Sequence, residues 1–213
     1  MVRDMHCDTD RHLRYARCSK LNRRPCRSKG LPTESVGLEG GEMITHARFG
    51  QGLTWDEYMG GIQKNQELFK AKYEEVEILP EDRAFFQGIK KPIDVLAIGE
   101  DWCPDVYNNL PVMARIAALN PNIQLRIFPR DQHHDLMHRY LFRGQSQSIP
   151  AFGFFDEHFQ EFAKHTGGRP KLLWDWIDQL GKDEARPKVR EHYATNRGRE
   201  MLRELQEILQ KGL

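Results

Sequence analysis

Four short apolar runs stand out along the chain, with helical periodicities before, between and after them. Val95 to Gly99 is continuously apolar, as a strand covered on both faces must be. Ile123 to Phe128 alternates apolar and polar residues, and Pro129 ends it. Ala151 to Phe155 and Phe159 to Ala163, joined at Asp156-Glu157, predict a hairpin. Ahead of the first run, Thr54 is placed to cap a helix from Trp55 to about Glu77, with Glu57 in the capping-box position. Tyr58, Ile62, Leu68 and Tyr73 supply its apolar positions, and Pro80-Glu81-Asp82 starts a short second helix through Phe86. A helix from Pro104 carries Leu110, Met113, Ile116 and Leu119 and has Pro111 inside it, which predicts a kink. Asp131 to Phe142 reads as a helix closed by Gly144, and Gly167-Gly168-Arg169-Pro170 opens another through Leu180. A helical tail follows, with Met201, Leu202, Leu205, Ile208 and Leu209 on one stripe. The order α-α-β-α-β-α-β-β-α-α predicts an α/β fold, a mixed four-stranded sheet flanked by helices, with an N-terminal helical extension and a C-terminal helix.

Residues 1–42 break this pattern. Basic residues from Arg3 to Lys29 dominate, apolar positions are scattered, and Gly37-Leu38-Glu39-Gly40-Gly41 ends the stretch. It cannot bury enough apolar area to offset its ordering entropy and reads as a disordered extension. Met43 follows as a candidate start, residues 43–182 form the domain, and 183–213 form the helical tail. Cys7, Cys18 and Cys26, with His6 and His12, match no structural zinc spacing. The net charge of +1 gives no argument for nucleic acid or a membrane surface as partner. No apolar stretch approaches the ~18 residues of a membrane span. Four cysteines in 213 residues do not make a disulfide scaffold, so a reducing cytoplasm is expected.

The chemistry gathers at Cys103, in Glu100-Asp101-Trp102-Cys103-Pro104-Asp105. It follows one strand and opens a helix, which favours a thiolate. A strand-helix-strand unit sets its strands parallel, so Cys103 and Arg130 share one sheet edge. An antiparallel hairpin brings Ser148-Ile149-Pro150 and Gly167-Gly168-Arg169 to the same edge. The helix dipole offers the thiolate up to ~2 kcal/mol. A carboxylate ~6 Å away at an effective dielectric of ~20 opposes by up to roughly 3 kcal/mol. The balance of Arg130 and Arg169 against Glu100, Asp101 and Asp105 therefore decides reactivity. Asp105 is open to two roles, proton shuttle or helix cap. His134 and His138 have the i, i+4 spacing of a metal pair without an evident third ligand. Arg186, Lys188, Arg190, Arg197 and Arg199 alternate with acids, as on an exposed helix.

Trp102-Cys103 after a strand, Ile149-Pro150 before the hairpin and the return at Gly167-Gly168 resemble the thioredoxin superfamily over about Val95 to Leu180. More narrowly, the chain is similar to a bacterial thioredoxin-like group with a single-cysteine Glu-Asp-Trp-Cys-x-Asp motif. The further matches are Arg130-Asp131, Leu136-Met137-His138-Arg139-Tyr140-Leu141, Ser148-Ile149-Pro150 and Gly167-Gly168-Arg169-Pro170. Pro104 and Gly168 depart from that group, which has glycine and proline there. The resemblance implies a cis bond before Pro150 and a redox site without cofactor or metal. In that site Trp102, Cys103, Asp105 and Pro150 are catalytic and Ile149 and Gly168 contact substrate, while Arg130 and Arg169 either bind the carboxylates of an anionic thiol or pair with Asp101, Asp105 or Asp131. Val106 stands where a dithiol enzyme has its second cysteine. A monothiol oxidoreductase needs an external resolving thiol, either a low-molecular-weight thiol or a protein cysteine. The competing expectation is a redox-inactive module binding a protein partner in the same groove.

Overall fold

The structure, a computed structural model, describes residues 44–213. The basic segment 1–42, its three cysteines and Met43 lie outside the described residues. Among the described residues four helices precede the sheet: α1 (His46–Phe49), α2 (Trp55–Gly61), α3 (Gln66–Glu75) and α4 (Pro80–Gly88). Thr54 and Glu57 form the expected reciprocal cap of α2. The sheet is built on β1 (Ile93–Gly99), from which α5 (Pro104–Ala117) crosses to β2 (Ile123–Pro129). After the short α6 (His134–Met137) come the hairpin strands β3 (Ala151–Phe155) and β4 (Glu161–His165). The chain closes with α7 (Lys171–Leu180), α8 (Lys182–Thr195) and α9 (Arg199–Gln210). Strand order is β2-β1-β3-β4, with β1 parallel to β2 and antiparallel to β3, and β3 antiparallel to β4. The expected mixed four-stranded sheet flanked by helices is the observed fold. Val95 to Gly99 are all buried, which accounts for their continuous apolar character.

Four departures from the periodicity have physical causes. The single helix expected over Trp55–Glu77 is two, because Ile62 turns extended after Gly60-Gly61 and Asn65 sits at φ 58. Asp101 holds the interruption open: its carboxylate accepts from the backbone N–H of Gln63 and Lys64, both at 2.9 Å. The helix expected over Asp131–Phe142 breaks into two short 3-10 turns around α6. His133 leaves helical geometry at φ −133, and Glu100 pins the first turn by accepting from the Asp131 N–H at 2.8 Å. The second hairpin strand starts at Glu161, two residues later than its pattern, because Phe159 is left-handed at φ 57. There Asp156 accepts from the N–H groups of His158 and Gln160. The tail is two helices, parted at Gly198 with φ 75. Met201, Leu202, Leu205 and Leu209 of α9 are at most 1% exposed and complete the same core as the sheet. Buried Asp82 at the start of α4 accepts from the Leu79 N–H and pairs with Arg199, tying α9 down. Helices α7 and α8 share a second, smaller cluster of Leu173, Ile177, Ala185 and Val189.

Candidate functional site

Cys103 occupies the N-cap position of α5, with Pro104 in the first helical turn. The residue is 9% exposed, and its Sγ lies 3.7 Å from the carbonyl oxygen of Ile149, to which the thiol donates. The Ile149–Pro150 peptide is cis. On its other side stands Gly168 at φ +78, where an added Cβ would lie 2.3 Å from the Ile149 oxygen. Only glycine permits that close approach in that backbone conformation. Cys103, Ile149-Pro150 and Gly168 thus meet from three sequence-distant segments. Trp102 is 41% exposed beside them, with the Arg130 guanidinium 4.9 Å above its ring.

Around Asp105 the polar groups interlock. Arg169 Nε donates to Asp105 Oδ2 at 2.9 Å, and the Tyr193 hydroxyl donates to Oδ1 at 3.0 Å. Buried Asn109 presents its amide nitrogen to the carbonyl of Gly168 at 2.9 Å, that of Asp105 at 3.0 Å and the Tyr193 oxygen at 2.9 Å. With two hydrogens for three acceptors, one of these contacts is shared. The network joins α5, the Gly168 loop and α8. Asp105, in the first turn of α5, is therefore held by two side-chain donors, and the α5 terminus has no side-chain cap bond.

Burial dominates the electrostatics. It pushes the Cys103 thiol up; the N–H groups of Val106 and Asp105 and the charge of Arg169 pull it down, and the Asp105 charge raises it further. Burial likewise raises Asp105, against Arg169 and Tyr193. The cation bearing on the sulfur is Arg169, whereas Arg130 turns to Asp131 with its Nη2 2.7 Å from Oδ1. Asp101 faces the 63–64 loop, so Asp105 is the carboxylate that matters here.

A cavity of about 540 Å³ opens on Cys103. Trp102, Asp105, Arg130, Ile149 and Arg169 line it, whereas Pro150 and Gly168 are buried and do not. Ser148 and Gly167 also line it, whereas the part of the wall from α7 and α8 was not anticipated. Lys182, Arg186 and Arg190 of α8 are exposed, as the alternation with acids predicts for Arg186 and Arg190, and with Val189 and Tyr193 they also line the cavity. The i, i+4, i+8 spacing of Lys182, Arg186 and Arg190 is visible in the sequence, but the direction in which that face lies depends on the α7–α8 turn at Gly181. Trp174 closes another side, stacked on Phe142 at 4.4 Å. Asn109 gave no signal, being one polar residue in an apolar helix. His134 and His138 belong to separate short elements, and among the described residues no group of three metal-binding side chains forms. Among the described residues, too, no helix is long and apolar enough to cross a membrane.

A cysteine at a helix start against a cis X-Pro peptide, on a β2-β1-β3-β4 mixed sheet, defines a thioredoxin-like protein. A family model described as thioredoxin matches residues 52–185, and the chain belongs to that family. Among solved structures it is similar to a protein of unknown function from Pseudomonas aeruginosa. That match has a TM-score of 0.65 and 20% identity, and covers 79% of this chain and 98% of the other. An HIV epitope-scaffold gives 0.64 and 21%, with coverages of 78% and 98%. At these identities the likeness concerns the fold. No curated protein matches the chain.

Proposed function

We propose that the protein is a single-cysteine thiol–disulfide oxidoreductase of the bacterial thioredoxin-like group, working in a reducing cytoplasm. The observation that carries this is the placement of the Cys103 sulfur, at the start of α5 and 3.7 Å from the carbonyl of the cis Ile149–Pro150 peptide, at the wall of an open cavity. Cys103 loses its proton to solvent and attacks a substrate disulfide. A bond forms to one substrate sulfur while the other leaves as thiolate and takes up a proton. An external thiolate then attacks the mixed disulfide, releasing Cys103 and leaving with the substrate sulfur. The net reaction is an exchange: one substrate sulfur is reduced to a thiol, the external thiol is oxidised into a disulfide with the other, and Cys103 is unchanged.

Trp102 shields the sulfur, Pro150 shapes the approach of substrate, and Asp105 sets the charge beside it. Ile149, Gly168, Arg130 and Arg169 form the binding surface. One observation favours the alternative, a redox-inactive module binding a protein partner: burial keeps the thiol protonated at neutral pH. The two separate in one experiment, in which Cys103 alkylation is followed against pH and mixed disulfides are sought by mass spectrometry. The oxidoreductase forms a disulfide adduct on the Cys103 peptide that added thiol reverses. No adduct in the folded protein, with ready reaction of the unfolded chain, would leave the binding module standing.

A further inference from the structure

We infer that the row Lys182, Arg186 and Arg190 on α8 selects the substrate, and that the Cys103 cavity takes a small thiol or disulfide carrying two or more carboxylates. This rests on the thiol-exchange reading of Cys103. All three side chains line the cavity, spaced i, i+4, i+8 along one face of the helix. The lining holds five cationic side chains, these three with Arg130 and Arg169, against one carboxylate, Asp105. That carboxylate is already committed to Arg169 and Tyr193, and Arg130 to Asp131. Arg186 reaches Asp183 at 3.3 Å, but the two side chains are 63% and 92% exposed, so solvent screens the pair. Neither Lys182 nor Arg190 has an ion pair among the described residues.

The row is also held in place. Ala185 and Val189 fasten α8 to α7, and Tyr193, one turn beyond Arg190, is bonded to Asp105 two residues from the sulfur. A volume of about 540 Å³ suits a small molecule, such pockets running from about 300 to 1,000 Å³. Ser146, Gln147 and Ser148 add polar lining. Unsatisfied positive charge converging on a small cavity beside a nucleophilic sulfur matches a compact polycarboxylate.

The test uses the reduced full chain and three small disulfides: 3,3′-dithiodipropionate, bis(2-hydroxyethyl) disulfide and cystamine, which are anionic, neutral and cationic. Each transfers one half to Cys103 and releases the other as thiolate, and the Cys103 peptide is quantified by mass spectrometry. Dividing each rate by that of free 2-mercaptoethanol removes intrinsic differences between the reagents. We expect the dicarboxylate to be favoured over cystamine by about tenfold or more at low salt. The preference should shrink severalfold at about 0.5 M salt. Lys182→Gln, Arg186→Gln and Arg190→Gln together should bring the ratio to within about twofold of unity. A preference unmoved by the triple substitution overturns the inference. So does one unmoved by salt in the native protein, a measurement that does not depend on the variant folding. Adducts with all three reagents and no charge order sink the inference alone, whereas no adduct with any of them sinks thiol exchange and the inference with it.

Discussion

Replacing Gly168 with alanine strikes the contact that brings the hairpin return against Ile149. An added Cβ would lie 2.3 Å from the Ile149 oxygen and 2.8 Å from its carbonyl carbon. Normal contact begins at about 3.4 Å, so one of two buried backbones must move by about 1 Å. The left-handed conformation costs alanine about 1–2 kcal/mol. The forced overlap adds about 1–3 kcal/mol, while a stiffer unfolded chain returns about 0.4–1 kcal/mol. The expected net loss is about 1–5 kcal/mol, which at a urea slope of about 2 kcal/mol/M lowers the unfolding midpoint by about 0.5–2.5 M. The displaced Ile149 carbonyl is also the acceptor of the Cys103 thiol, so alkylation of the folded protein should accelerate. Gly88→Ala serves as control: its Cβ meets nothing within 4 Å, and stability should change by less than about 1 kcal/mol. A Gly168→Ala protein with the native midpoint and the native alkylation rate would refute the reasoning.

Asp105→Asn removes the carboxylate charge next to the sulfur, so Cys103 alkylation at neutral pH should rise about three- to tenfold, and Arg169→Gln should slow it. Equal rates in both variants would contradict the assigned charge balance. Asn109→Ala strips the Gly168 carbonyl and Tyr193 hydroxyl of their donor and should cost about 2–4 kcal/mol in urea denaturation. A loss well under 1 kcal/mol would show the network to be dispensable. Stability should also carry a Cys103 signature at alkaline pH. The unfolded cysteine titrates near ~8.5 and the folded thiol higher, so the unfolded state releases its proton first. That contribution is complete below about pH 8.5 and is lost as pH rises through the folded value. Cys103→Ala lacks it, while the raised tyrosines act in both proteins and cancel. Parallel midpoint-against-pH curves for the two proteins would exclude it.

Much of the scaffold is legible in the sequence because its causes are local. The continuous apolar run at Val95–Gly99 needs burial on both faces, and β1 has it. Thr54 and Glu57 cap α2 through bonds three residues apart, and Pro104 fits the first turn of α5 by its fixed φ. Parallel β1 and β2 then force Cys103 and Arg130 to one edge, and the hairpin brings Ile149 and Gly167 to them. The helix breaks at 62–65 and His133 were not legible, because Asp101 and Glu100 accept from backbone groups more than thirty residues away. Nor was the cavity-lining role of α8, whose exposed basic face is brought to the cavity by the turn at Gly181.

The sequence by itself determined the α/β order, the edge on which Cys103 sits and the absence of a second sulfur at Val106. Short-range sterics and hydrogen-bond periodicity suffice for those. The tertiary structure alone decided the sulfur's state and surroundings: how deeply it is buried, that Arg169 bears on it while Arg130 does not, and that α8 lines its cavity. Desolvation and charge pairing depend on which distant side chains arrive within a few ångströms, and residue spacing along the chain does not encode that.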